Sequence, residues 1–450
     1  MDIKQFRDRI FEEGRKLGFT NLEVYYEKTS NFNVKLFKGE IDGHESSTVN
    51  GVSVRGLYDG KMGYAYTERL DEDTVHFLLE NAKENALLIE DEPEELYDGK
   101  GEYADYNFYS PSLEQTSAEE KIALMKEIER KIYELDDRVV QTDYAVLSEQ
   151  SFEKAIFNNK GLEVNDKNNF MYVVFSVVVK EGEEIKSGFT FKVGKDLSKF
   201  NADEIAKEAV DRALSYLGGK TYPNKMYPVI LQNEAAASLL ATFVPIFSAE
   251  AVQKGQSQLK GKIGEKISSD ILTLIDDPFL PNGLRSGTFD SEGVPTRKLA
   301  IVENGKLQTF FYNLKTAKKD GVESTGHGYK PSYQGTIGIS PTNFYIVPSE
   351  TSYEQLYCDL EEGIIITNLA GLHSGANQIS GDFSLAANGY YVKDGEIVGA
   401  TNLMTIAGNF FELLKDVEQV GSDLAFSPMG MQGYIGSPSL KIKSLTVTID

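Results

Sequence analysis

The chain has 450 residues, 41% of them hydrophobic and 26% charged, the balance of a folded protein too long for one ordinary core and built as two or three domains. A formal net charge of -23 repels phosphate backbones, so nucleic-acid binding would need a local basic patch. The densest basic stretch, residues 254–266, spaces four lysines among Gly, Gln and Ser and reads as a lysine-rich loop.

The longest apolar run, residues 173–179, is broken by Ser176 and falls far short of the roughly 20 residues of a membrane span. Residues 1–6 have neither the basic nor the apolar region of an export signal. The one cysteine, Cys358, makes no internal disulfide and no cysteine-based metal site. The expectation is a cytoplasmic protein without nucleic-acid or membrane partners.

In chain order, residues 1–90 carry a first α+β unit. Ile3, Phe6, Ile10 and Leu17 share a helix face and Gly18 follows as a stop. Alternating runs at 22–28, 32–37, 48–56 and 61–67 predict strands, with turns at Lys38-Gly39 and Asp59-Gly60. Val75, Leu78, Leu79, Ala82 and Ala86 predict a second helix. Over 91–115 periodicity stops, acidic residues concentrate at 90–95, and Gly, Pro and Tyr are frequent; this reads as an acidic linker or surface excursion.

The same layout restarts over 116–220. Ser117 and Glu120 form a capping box ahead of a helix bearing Ile122, Met125, Ile128, Ile132 and Leu135. Strand patterns follow at 139–147, 155–157, 170–180 and 186–193, and Asn201 opens a helix that Gly218-Gly219 ends. From 221 to 450 the pattern is mostly antiparallel β with a few helices. Asn304-Gly305 and Asp394-Gly395 signal hairpins, residues 405–414 suggest a short helix, and 439–449 alternate as a half-buried strand. The fold class expected is α+β: two helix–antiparallel strands–helix units, then a β-rich domain.

Six segments of this last part stand in a telling order: FDSEGVPTR at 289–297, AIVENGKL at 300–307, GANQISGDFS at 375–384, GYYVKDGEI at 389–397, TIAGN at 405–409 and GSPSLKIKSLTV at 436–447. In them the chain resembles the TldD/PmbA family, long labelled modulators of DNA gyrase. The likeness covers most of residues 220–450. TldD-type members resemble zinc peptidases, with an H-E-x-x-x-H segment on a helix and a later cysteine. Zinc takes nitrogen and sulfur ligands, and a nearby carboxylate can act as base on its water.

The matching segment here is NEAAAS at 233–238. Asn233 and Ser238 stand where the histidines would, Glu234 keeps the acid, and residues 422–431 hold no cysteine. An amide and a hydroxyl are poor zinc ligands. The resemblance therefore implies a TldE/PmbA-type subunit with no catalytic residue, metal or cofactor of its own. Its partners would be a TldD-like zinc-bearing subunit or a second copy of itself, and its role to shape a channel for unfolded or modified peptides. Expected peptide contacts are Gly375, Asn377, Ser380, Gly381 and Phe383, with His327 and His373 in neighbouring glycine-rich loops.

Each of these residues also has a plain structural reading. Asn233 suits a helix N-cap and Glu234 the first turn of a helix. His44 fits a sheet, His76 the packed face of a helix, and Cys358 a buried small hydrophobe. The sequence has no Walker A segment, dinucleotide fingerprint or G-x-S-x-G elbow. Two competing readings are a homodimeric enzyme with a different site, using His327, His373 and nearby acids, and a non-proteolytic protein-binding modulator.

Overall fold

A computed structural model of the chain describes residues 1–89, 95–427 and 433–449. Positions 90–94 of the acidic stretch, and positions 428–431 of the cysteine-free segment, lie outside the described residues.

Helix α1 (Ile3–Leu17) opens on a capping box between Asp2 and Gln5 and stops at Gly18 in the left-handed conformation. Strands β1 (Asn21–Phe37), β2 (Glu40–Tyr58) and β3 (Lys61–Thr67) follow, then α2 (Glu72–Leu88). Both turns carry positive φ at two successive residues, Lys38-Gly39 and Asp59-Gly60, which matches the twist of the strands they join. The runs at 22–28 and 32–37 are one strand. Its polar middle stays extended because β2 pairs along one edge and β4 (Val139–Asn158) along the other.

The second unit comprises α3 (Pro111–Gln115), α4 (Ala118–Leu135), β4, β5 (Glu163–Glu181), β6 (Glu184–Gly194) and α5 (Ala202–Ser215). Ser117 and Glu120 make the expected capping box, and Asn201 caps α5. The separate runs at 139–147 and 155–157 again merge into one strand. The two units fuse into a single six-stranded antiparallel sheet, β3-β2-β1-β4-β5-β6, symmetric in layout about the β1–β4 seam.

Alternation along these strands sorts the two faces. Leu22 and Val24, with Ala155 and Phe157, pack under α1 and α2. Val34 and Leu36, with Ala145, Leu147, Val173 and Phe175, pack under α4 and α5. Both helix pairs thus cover one face, at opposite ends of the long strands. Tyr25 and Ile156 point the other way and join Phe289 and Tyr333 of the C-terminal part. The strap at 95–110 is packed rather than loose: Leu96 and Phe108 are buried, and the Tyr103 hydroxyl donates to the Gly293 carbonyl at 2.8 Å.

The C-terminal part contains β7 (Lys225–Leu231), α6 (Asn233–Phe243), α7 (Ala249–Gln253), β8 (Leu274–Asp276), β9 (Leu299–Glu303), β10 (Lys306–Leu307) and α8 (Leu314–Asp320). Then come β11 (Gly328–Tyr329), β12 (Gly338–Ile339), β13 (Asn343–Ile346), β14 (Glu362–Ala370), β15 (Asp382–Lys393), β16 (Glu396–Ala400) and β17 (Met404–Asn409). The last elements are α9 (Phe410–Lys415), β18 (Val417–Val420), β19 (Ala425–Phe426), β20 (Tyr434–Ser437) and β21 (Leu440–Ile449). Strand β14 pairs with both β7 and β15, and β15, β17, β21 and β7 pair in succession. These five strands therefore close into a ring, around which β8, β9, β10, β13, β19 and β20 form a second sheet.

Four local expectations are corrected, the first being His76, which is exposed on α2 rather than on its packed face. Residues 405–414 are not one helix: 405–409 belong to β17, held between β15 and β21, and the helix starts only after Asn409 caps it. Cys358 is exposed, because it follows a short turn outside the ring. The N-cap of α6 is Gln232, with Asn233 as the first helical residue.

Gly389 shows how tightly the ring is packed. A Cβ there would lie 1.8 Å from the Ile365 carbonyl oxygen on the paired strand, a backbone atom that cannot swing aside. Gly389→Ala is expected to lower unfolding stability by about 2 kcal/mol or more; a urea titration of the two proteins measures it, and midpoints that coincide would contradict this packing.

Candidate functional site

The sheet face left uncovered by helices and the C-terminal part enclose a cleft of about 2450 Å³. Its sheet wall includes Phe152, Tyr172, Phe189 and Phe191. The opposite wall includes Glu234 and Ser238 of α6, the 284–291 and 326–331 loops, and the glycine-rich turn at 371–379.

Helix α6 begins directly after β7 of the ring, which aims its first turns into the cleft. Each motif position there is engaged within the fold. The Arg212 guanidinium of α5 donates to both Glu234 oxygens, at 2.7 and 3.1 Å, and lies over the Phe189 ring at 5.5 Å. The Asn233 side-chain amide donates to the Asp423 carbonyl at 2.8 Å, while its oxygen accepts from the Glu234 N–H at 2.7 Å. One turn on, the Ser238 hydroxyl meets the Ser427 hydroxyl at 3.2 Å. The donor set here is an amide, two hydroxyls and a carboxylate already held by arginine. Among the described residues no three His, Cys, Asp or Glu side chains cluster as metal ligands would.

Of the expected peptide contacts, Gly375, Asn377, Phe383, His327 and His373 line the cleft, whereas Ser380 and Gly381 do not. Asn377 spends its side-chain oxygen on its own turn, accepting from the N–H groups of Ile379 and Ser380 at 2.9 and 3.1 Å. Phe383 is buried in the core of the ring. His373 is exposed at the rim. His327 is buried, its Nε2 3.0 Å from Asp276 Oδ2 and its Nδ1 2.8 Å from the Thr325 hydroxyl. That hydroxyl also accepts from the Tyr312 N–H at 2.7 Å, so this trio is tied into the backbone.

The cleft floor holds groups that sequence reading passed over. The 289–297 segment turns on Asp290, which accepts from the N–H groups of Glu292, Val294 and Gly328 at 2.8, 3.0 and 2.8 Å. Glycine is required at 328, since a Cβ would sit 2.7 Å from Glu292 Cγ. Glu292 accepts from the Leu314 N–H at 2.8 Å and lies 3.6 Å from Arg55. Arg55 is itself paired with Glu23 at 2.6 Å, and all three side chains are buried.

Burial pushes the carboxyls of Asp290 and Glu292 above the ordinary carboxylate range and does the same to Glu27 and Asp166. Burial, reinforced by the Arg55 charge, drives Lys330 down to about 7. Its ammonium donates to the Ser53 hydroxyl and lies 4.6 Å from the Tyr25 ring centre. The alternation of β1 and β4 places Tyr25, Glu27, Phe152 and Lys154 on the cleft face, and that parity was the one signal in the sequence that could have found them.

Three segments match the PmbA/TldA metallopeptidase: domain 1 over residues 22–86, the central domain over 111–217 and the C-terminal domain over 224–449. The chain belongs to the PmbA/TldD family. An uncharacterized protein of Methanocaldococcus jannaschii is 30% identical, over 97% of this chain and 98% of its own. The metalloprotease PmbA of Escherichia coli O157:H7 is 26% identical over 93% and 91%.

Among family structures, TldE from Thermococcus kodakarensis superposes with a TM-score of 0.89 at 26% identity, over 98% of this chain and 100% of its own. A Thermotoga maritima protein proposed to be a modulator of a DNA gyrase gives 0.92 at 34%, over 99% and 100%.

Two predictions follow from the charges. Arg212→Met removes the bidentate partner of a half-buried carboxylate and is expected to lower stability by about 1–2 kcal/mol, discounted for partial solvent exposure. Adding Glu234→Gln should recover part of that loss in the same denaturation assay; a loss that the second change deepens would argue against the clamp. For Lys330 the folded pKa lies below the unfolded one, so the unfolded chain binds more protons between pH 7 and the ordinary lysine range. Its burial penalty is full below pH 7 and fades as pH rises toward that range. Relative to Lys330→Met, the native protein should gain about 2 kcal/mol between pH 7 and pH 9. A difference between the two proteins that stays constant with pH would contradict this.

Proposed function

We propose that the chain is a TldE/PmbA-type subunit without catalytic zinc, which joins a zinc-bearing TldD-type subunit and shapes the channel through which unfolded or modified peptides reach the partner's metal. The observation that carries this reading is the Arg212–Glu234 clamp, flanked by Asn233 and Ser238. The acid that would serve as base is neutralised by a bidentate guanidinium, and the two positions where histidines would stand are an amide bound to a backbone carbonyl and a hydroxyl facing another hydroxyl. These side chains do not fit a zinc ion, which takes imidazole or thiolate nitrogen and sulfur. The likeness to the Thermococcus TldE over nearly the whole chain supports the same reading.

In this role the chain's own residues act as walls and anchors. The aromatic side chains on the sheet face would bury apolar peptide groups, and the glycine-rich turn at 371–379 would let an extended backbone approach closely.

Purified alone, the chain is expected to contain far less than one zinc per molecule by elemental analysis and to leave unfolded casein intact. Mixed with a TldD-type chain bearing an intact H-E-x-x-x-H segment, it should elute as a complex by size-exclusion chromatography, and casein cleavage should rise above that of the partner alone. One tightly held zinc per chain in the isolated protein would overturn the reading, as would failure to associate.

A further inference from the structure

Three basic side chains in the cleft make no ion pair among the described residues. Lys154, Arg285 and Lys330 all line its walls, and they surround the same two loops. Lys154 Nζ donates to the Phe289 carbonyl at 2.8 Å and lies 4.4 Å from the centre of its ring. Arg285 Nη1 donates to the Tyr329 hydroxyl at 2.9 Å, with the guanidinium 4.9 Å from that ring. Lys330, the next residue after Tyr329, is tied through its N–H to the Ser291 hydroxyl at 3.1 Å, two residues from Phe289.

Among the described residues no carboxylate oxygen lies within 4.0 Å of any of the three. Elsewhere this acidic chain gives its cations partners freely, as at Arg55–Glu23, Arg212–Glu234, Lys121–Glu149 and Lys441–Asp359. Four acids, Asp166, Asp290, Glu23 and Glu27, act on the cluster at longer range. Two of them are themselves spent on backbone donors: Asp290 on three N–H groups, and Asp166 on those of Lys167 and Thr288.

A buried or half-buried cation without a counter-ion is costly. In a chain with 69 acidic and 46 basic residues, leaving three such cations together runs against the supply. Each also keeps hydrogen-bonding capacity in hand. A guanidinium carries five N–H donors and an ammonium three, and among the described residues each of these side chains makes a single hydrogen bond. The arginine, 4.9 Å from the centre of the Tyr329 ring, carries the planar fork of donors that fits a carboxylate.

We infer that Arg285, with Lys154 and Lys330 around the same two loops, forms a carboxylate-binding subsite of the cleft that takes the C-terminal carboxylate of an extended peptide. This deepens the proposed function and rests on the cleft being a peptide channel. The subsite fixes polarity: a peptide anchored by its C-terminus at the 285–291 loop would run along the aromatic sheet wall in one direction only.

The test measures binding of a fluorescein-labelled seven-residue peptide of alternating Ala and Phe, made with a free C-terminus or as the C-terminal amide, to the full chain by anisotropy. The free acid is expected to bind about tenfold more tightly than the amide, the worth of a charge-assisted hydrogen bond of about 1.4 kcal/mol. Arg285→Gln should abolish that preference, bringing acid and amide to equal affinity, and Arg285→Lys should retain part of it. Equal binding of acid and amide by the native protein would overturn the subsite and leave the channel reading standing. Binding of neither peptide would overturn both. Persistence of the acid preference in Arg285→Gln would overturn the assignment to this arginine.

Discussion

A sheet whose central strands run 17 to 20 residues has two long faces, and each must be buried or put to use. Two helix pairs on one side satisfy half of that requirement. The other face is closed where Tyr25, Ile156 and Leu162 meet Phe289 and Tyr333, and around that contact Arg55 is locked between Glu23 and Glu292. Everything else about the cleft follows from this seam. A shorter seam would leave the aromatic face open to water, and a longer one would fill the cavity.

The seam is charged where a purely apolar one would have been simpler. Replacing buried ion pairs by hydrophobic groups is often neutral or stabilising, so the Glu23–Arg55–Glu292 row is not by itself a source of stability; it ties β1 and β2 to the 289–297 segment. Asp290 fixes the loop by gathering three backbone N–H groups, and Glu292 then stands where it can face the sheet. The segment around 289–297 is therefore the element that orients one part of the molecule on the other, and the cationic corner of the cleft is built on its flank. A mutation at the seam would change the cleft's shape without touching any residue that lines the α6 wall.

Element types were legible locally where turn chemistry and periodicity agreed. The capping box at Ser117, the Gly18 stop and the Asn-Gly and Asp-Gly hairpins are all present. Long strands were harder to read, because residues 29–31 are polar on both faces and residues 148–154 carry Phe152 as their one apolar side chain, so both stretches remain extended only through neighbours far away in the chain. The 405–409 stretch lies next to a true helix, and its pairing with β15 and β21 is invisible to a local pattern.

At the site, the altered motif on α6 could be recognised from its residue types. Its partner Arg212 could not, since that pairing depends on two helices meeting across a domain boundary. Lys154, Arg285 and Lys330 lie far apart in sequence and share no motif. Only the folded chain brings them to one corner.

The ring in the C-terminal part has an order of assembly written into it. Strand β7 opens this region and β21 lies near its far end, yet they are neighbours, and β21 also bridges to β17. No subset of the earlier strands can close the circle. On the ribosome, β7 can pair with β14 once that strand appears, but its other edge stays open until residues 440–449 emerge. That delay is a window in which holdase chaperones would have their best access to the nascent chain.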